Sequence, residues 1–249
     1  MKGEPSCPRC GSKLRAPGDP SAPLPVLPEE LSGPVPDTVP ENLADLPLGM
    51  IPLPAGGPVG ELWSCDLHGA VHPVQPIMPP SASVLASVIG RSHVPLWLPW
   101  PLPDHWRFGG LAYAGDHHTG ARATVLAATG PSPFGGDGDL LLIAEEMGIG
   151  LGARFAGLPG PDPGPIFEDT AAHAKVYAAG RPTPLWSVPD TGDRAVFVGE
   201  ARGTWLWLVL WPAIAGALLY EDLVLTDLRD AGSEIDHLPF GALSSRFFC

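Results

Sequence analysis

Thr204-Trp-Leu-Trp-Leu-Val-Leu-Trp-Pro-Ala-Ile-Ala-Gly-Ala-Leu-Leu-Tyr220 is the run whose reading decides the fold. Its seventeen residues reach only the lower limit for a helix that crosses a bilayer, and Pro212 and Gly216 interrupt it. Glu221 and Asp222 follow, with no basic cluster to set an orientation, so no membrane span is expected. Two adjacent buried strands fit better. Alternate residues of a strand face opposite ways, which puts Trp205, Trp207, Val209 and Trp211 on one face and Leu206, Leu208 and Leu210 on the other. A strand that is apolar on both faces belongs in the middle of a sheet covered on both sides.

Outward from that run, residues 108–114 and 121–129 read as strands around Gly115-Asp116-His117-His118-Thr119-Gly120, whose glycines and Asp suit a hairpin turn. Residues 140–145, 174–179, 194–199, 204–211 and 217–226 continue the strand pattern. Ser81 is placed to cap a short helix with Val84, Leu85, Val88 and Ile89 on one stripe, ending at Gly90. The expected fold class is α+β and β-dominated: a small zinc ribbon, residues 1–78, followed by a mainly antiparallel sheet domain, residues 79–249.

The ribbon is written in two halves, Cys7-Pro8-Arg9-Cys10-Gly11 and Cys65-Asp66-Leu67-His68-Gly69. Together they offer three thiolates and one imidazole, the number and softness of ligands that a closed tetrahedral zinc site needs. A glycine after each pair allows the positive φ of a tight return. Four protein ligands leave no position for water, so the expected Zn2+ is structural. Redox and disulfide readings of Cys7 and Cys10 are weaker, because a Pro-rich tract follows the pair and four cysteines in the chain are few. His68 repeats the spacing of the first pair. His72 is the competing fourth ligand, and otherwise a surface histidine.

Between the halves, residues 17–58 hold twelve prolines, six acidic residues and no basic one, without helical or strand period. This reads as an extended, solvated insertion that contributes little to a core. Lengthening a connection of roughly 20 residues to this one costs on the order of 1 kcal/mol, against roughly 10 kcal/mol or more from zinc. Leu24-Pro25-Val26-Leu27-Pro28 could serve a proline-recognising partner, although a solvated acidic loop is the simpler reading. The formal charge of −13 opposes strong nucleic-acid binding. Only Lys2, Arg9, Lys13 and Arg15, around the first half, suggest a cationic patch. The opening residues are polar and lead straight to a metal ligand, which argues for a cytoplasmic protein.

Signals of catalysis are weak. Gly148-Ile149-Gly150-Leu151-Gly152-Ala153 fits a relaxed GxGxxA, but the Pro-Gly run at 159–165 leaves no room for a dinucleotide fold, and a tightly packed turn is the better reading. Glu145 and Glu146 would point to opposite faces of a strand, and His117-His118 belongs to a turn. Cys249 is a terminal thiol without a prenylation spacing.

Five phrases carry a resemblance: MKGEPSCPRCG (1–11), WSCDLHGAVHPVQP (63–76), VPLWLPWPLP (94–103), GIGLGARFAGLPGPDPGP (148–165) and LVLTDLRDAG (223–232). Together they resemble an uncharacterised actinobacterial family with an amino-terminal zinc ribbon, whose members bring the two halves much closer than residues 16–60 do here. The resemblance implies zinc at Cys7, Cys10, Cys65 and His68 and no reaction. Two functions stand. One is a zinc-stabilised interaction or regulatory protein that engages a protein partner. The other is a small-molecule enzyme, of the phosphate- or acyl-transfer kind, with a pocket near 130–164 and His173, Glu145 or Arg154 as acid, base or anion-binding groups. Limited proteolysis should cut first within residues 17–58 and spare the segment from about residue 81 onward; intact protein that resists cleavage there contradicts the insertion reading.

Overall fold

The structure, a computed structural model, describes residues 4–18, 62–165 and 171–248. Most of the expected insertion and Cys249 fall outside them. In chain order the elements are β1 (Ser64–Cys65), β2 (Gly69–Ala70), α1 (Ala82–Ile89), β3 (Trp97–Pro99), β4 (Arg107–Asp116), β5 (Gly120–Pro131) and β6 (Asp137–Glu145). There follow α2 (Leu151–Ala156), β7 (Ala174–Ala178), β8 (Arg181–Val188), β9 (Ala195–Ala201), β10 (Thr204–Trp211) and β11 (Val224–Asp227). β1 and β2 form a hairpin, and the other nine strands form one sheet in the order β3-β11-β7-β8-β9-β10-β6-β5-β4. Neighbours are antiparallel except β11 and β7, which run parallel. The protein is therefore β-dominated, built on one large and mostly antiparallel sheet.

β10 lies between β9 and β6, and its two faces divide as the alternation requires. Leu206, Leu208 and Leu210 enter a core with Leu126, Leu142 and the α1 residues Leu85 and Val88. Trp207, Val209 and Trp211 enter a second core with Leu141 and Ile143 of β6 and with Leu151, Ala153 and Phe155 of α2. The first core is enclosed by curling: β3, at one end of the sheet, comes back against β6. Thr124 in β5 helps to hold that return, donating its hydroxyl to the Pro95 carbonyl at 2.7 Å.

Asp227 fastens the same seam. Its carboxylate is fully buried and accepts from the Leu96 N–H at 3.1 Å and from Arg202 Nη1 and Arg229 Nη2, each at 2.7 Å. Burial alone would raise its pKa. The Arg229 guanidinium and the Leu96 and Arg229 backbone donors hold it below the usual carboxylate value instead. Removing either arginine would leave part of a buried charge uncompensated.

α1 forms as its sequence suggests, with the Ser81 hydroxyl accepting the Val84 N–H at 3.3 Å and Gly90 as its end. The hairpin at 115–120 also forms, closed by Asp116, which accepts from the His118 and Thr119 N–H groups at 2.9 Å. The strand expected over 217–226 is corrected. Residues Ala213–Tyr220 are a 3-10 helix, and only Val224–Asp227 is strand. Pro212, which begins that turn, has no N–H for a ladder, and the small residues after it let Ala215, Leu218 and Leu219 pack inward together. β3, β8 and α2 were not anticipated from the sequence. β8 is instructive, because Pro182 and Pro184 argue against a central strand. Its pairing with β9 begins only at Trp186, so both prolines stand where the paired neighbour is β7 alone.

Leu208 is fully buried at the middle of β10. Leu208→Ala should cost about 2–5 kcal/mol in urea unfolding, whereas Tyr220→Ala, at a side chain 90% exposed, should stay within about 0.5 kcal/mol. Equal effects would contradict the placement of β10.

Candidate metal centre

Each half of the ribbon is a tight turn. In the first, the Gly11 N–H returns to the Cys7 carbonyl at 2.9 Å, with Gly11 at φ +72°. The second is the β1–β2 hairpin, which carries Cys65 and His68 about its turn. Backbone hydrogen bonds sew the halves together: Ser6 and Val74 exchange two, at 3.0 and 2.8 Å, and Arg15 and Ser64 exchange two more, at 3.0 and 3.2 Å. Leu14 packs beside Cys7 and Cys65, with Trp63 and Val71 against them.

Cys7, Cys10, Cys65 and His68 thus converge, one ligand atom from each lying within 4.8 Å of every other. Cys10 Sγ is 3.7 Å from Cys65 Sγ, and His68 Nδ1 is 3.6 Å from both Cys7 Sγ and Cys65 Sγ. A tetrahedral ion with metal–sulfur bonds of about 2.3 Å needs edges of about 3.7 Å, so the cluster has the dimensions to hold one. A disulfide needs about 2.05 Å between sulfurs, which these atoms do not approach. His72 is elsewhere, half-buried beside Arg122, Glu146 and Asp116, and burial pulls its pKa down.

The thiols differ in environment. Burial pushes Cys7 up to about 11. Cys10 feels a smaller burial penalty, and hydrogen bonding with Ser12 and with the neighbouring thiols brings it down to about 6. The Cys10 thiol at the exposed edge of the cluster therefore gives up its proton more readily than buried Cys7, and a cation that binds Cys7 must displace its proton.

The cluster is laid on the outer face of the sheet. Arg9 reaches across to the loop after β6, donating through Nη2 to the Gly148 carbonyl at 2.6 Å and through Nε to the Ile149 carbonyl at 3.4 Å. Gly148 and Gly150 have φ of +83° and +86°, so the Gly-rich motif is a turn that leads into α2. Gly152 then lies flat on the Trp207 indole, where a Cβ would come within 2.2 Å of the ring. Asp162 closes the loop, accepting from the Gly148 N–H at 2.8 Å and from the Trp205 indole at 3.0 Å. The motif makes a packed corner rather than a phosphate cradle.

The remaining cations of the ribbon are also engaged. Lys13 pairs with Glu4 at 2.9 Å and Arg15 with Asp66 at 2.8 Å. Lys2 lies outside the described residues.

The three catalytic candidates do not converge. Glu145 is fully buried, and its carboxylate accepts the Leu151 and Gly152 N–H groups at 2.7 and 3.1 Å, which fastens the start of α2. Arg154 lies toward the cysteine cluster, with Cys7 and Cys10 as the charges that act on it. His173 is exposed and accepts the Ser187 N–H at 3.2 Å. Glu146, as the alternation requires, points away from Glu145 and pairs with Arg122 at 2.8 Å. Neither Arg9 nor Arg154 was expected to dock the ribbon, because the contacts are 139 residues apart or more for Arg9 and carry no local pattern.

A Cys3His cluster resting on a curled antiparallel sheet defines a β-dominated protein with a candidate metal centre. The chain belongs to a family of unknown function (DUF6758), whose model matches residues 47–247. That match takes in Cys65, His68 and the whole sheet, and stops short of Cys7 and Cys10. No curated protein and no solved structure matches the chain.

Glu145 gives the site a pH signature. Burial, opposed by its backbone donors, raises its pKa from 4.5 to about 8. The Trp207 indole N–H lies near enough to favour the anion but meets no acceptor in hydrogen-bonding geometry. Because the folded protein holds this proton more tightly than the unfolded chain, Glu145 lowers stability as pH rises from about 5 to about 8. Thermal midpoints of Glu145→Gln should fall less over that range than those of the native chain. Parallel pH profiles would contradict the assignment.

Proposed function

We propose that this is a zinc-stabilised interaction or regulatory protein. Cys7, Cys10, Cys65 and His68 hold one Zn2+, which supplies a structural crosslink and no open coordination position. The observation that carries this reading is the convergence of the four ligand atoms within 4.8 Å of one another, with three of the separations at 3.6 to 3.7 Å, close to the edges of a tetrahedral thiolate site. Three thiolates favour zinc over harder cations. The ribbon spans residues 1–78 and the sheet domain 79–249, and the connection over 17–58 is the proline-rich acidic loop.

The partner is a protein. Beside the ribbon runs a groove of about 920 Å³ lined by Trp63, Tyr113, Arg91, Asp116 and His118, with the Arg91 guanidinium 5.2 Å from the centre of the Tyr113 ring. Aromatic and arginine side chains in one groove suit a polypeptide better than a phosphate backbone. The net charge of −13 and the engagement of Arg9, Lys13 and Arg15 within the chain weigh against nucleic acid. Thiolates kept for a metal imply a reducing compartment, in keeping with a cytoplasmic protein.

Purified native protein should carry one zinc per chain, and Cys65→Ser should lose it. Native protein without zinc, or a Cys65→Ser variant that keeps a full equivalent, overturns the reading.

A further inference from the structure

The metal centre takes all four ligands from the ribbon, yet its charge is not balanced there. Zinc with three thiolates and a neutral imidazole carries one net negative charge. Cys7 and Cys65 are buried, so part of that charge is withdrawn from water, which is costly unless a cation stands beside it.

One cation does, and it comes from the sheet domain. Arg154 in α2 turns its guanidinium onto the first half of the ribbon, so close to Gly11 that a Cβ built there would sit 3.0 Å from Nη2. The other charges acting on it are those of Cys7 and Cys10. Among the described residues no hydrogen bond or ion pair joins it to a carboxylate, and the Phe155 ring lies 5.6 Å from the guanidinium carbon. A half-buried guanidinium without a carboxylate is destabilising by itself. An anionic metal–thiolate cluster beside it resolves both costs at once.

The position of Arg154 is also fixed from the sheet side. Glu145 holds the first turn of α2, Leu151, Ala153 and Phe155 pack into the outer core, and the Phe155 carbonyl accepts Arg194 Nη1 at 2.9 Å. The backbone that carries Arg154 is thus held by the sheet domain itself.

We propose that Arg154 is the counter-cation of the metal centre, so that the ribbon supplies the ligands and the sheet domain supplies the balancing charge. Metal occupancy and docking of the ribbon are then coupled: a loaded cluster draws Arg154, and Arg154 strengthens the hold on the metal. This rests on the zinc reading above.

The test is a titration of Zn2+ against a competing chromophoric chelator in the full chain, for native protein, Arg154→Met, Arg154→Gln and Arg154→Lys, each with a native near-ultraviolet circular dichroism spectrum. The neutral variants should bind zinc about 10- to 100-fold more weakly, the range seen when groups that support metal ligands are removed. Arg154→Lys, which keeps the charge, should recover most of the loss. The cobalt(II) spectrum should keep its thiolate bands in every variant, since the ligands are unchanged. Neutral variants with native affinity, or Arg154→Lys as weak as Arg154→Met, overturn the proposal. A native chain that binds no zinc instead sinks the zinc reading itself, so the two failures are distinct.

Discussion

A strand with tryptophans on one side and leucines on the other cannot leave either face in water, and β10 imposes that condition on the whole sheet. The leucine face is satisfied internally: the sheet curls until β3 meets β6, and α1 and the 3-10 helix at Ala213–Tyr220 close what remains. The tryptophan face has no such solution. Its cover is assembled from pieces too small to be stable alone, namely the six residues of α2, the segment around Val74 and the carboxy-terminal Phe247. Among the described residues the ribbon's own core is Cys7, Leu14 and Cys65 with two flanking side chains. A unit of that size depends on a crosslink for stability. A metal at the cysteine cluster would therefore fix the ribbon, and the ribbon would fix part of the cover over Trp207.

The same constraint explains why chemistry-bearing residues near the site are structural. Three glycines in six residues invite a nucleotide reading, but each has a conformational or packing reason. Gly148 and Gly150 turn the chain with positive φ, and Gly152 lets α2 approach the Trp207 ring to a distance no side chain could tolerate. Glu145, a catalytic candidate in the sequence, is turned inward onto the first N–H groups of α2. Burial dominates its protonation, as expected for a carboxyl whose two backbone donors do not replace the water it has lost.

What could be read from the sequence was short-range or periodic. The alternation in β10, the Ser81 cap of α1, the Asp116 turn and the paired spacing of the metal ligands each depend on residues within a few positions of one another. What could not be read depended on partners far along the chain. β8 is a strand despite Pro182 and Pro184 because β9 pairs only with its later half. The segment after Pro212 has strand-like composition, yet a proline at its start and room for Ala215, Leu218 and Leu219 in the inner core favour a 3-10 helix. Arg9 reads in the sequence as part of a cationic patch and Arg154 as a candidate acid, base or anion-binding group of an enzyme pocket, and only the placement of the ribbon on the sheet shows what they touch.

The tolerance for a long connection between the two halves of the ribbon follows from where their hydrogen bonds lie. Ser6 pairs with Val74 and Arg15 with Ser64 on either side of the ligands, so the register of the halves is set by backbone bonds that the intervening segment does not supply. Closing a longer loop adds an entropic cost that grows only with the logarithm of its length. Four backbone bonds and a shared apolar patch oppose that cost, and a metal at the cysteine cluster would add to them. The length and the acidic, proline-rich composition of residues 17–58 can consequently vary without removing those backbone bonds, and in this chain their six acidic residues contribute to a net charge of −13. A net charge of that sign opposes association with phosphate backbones.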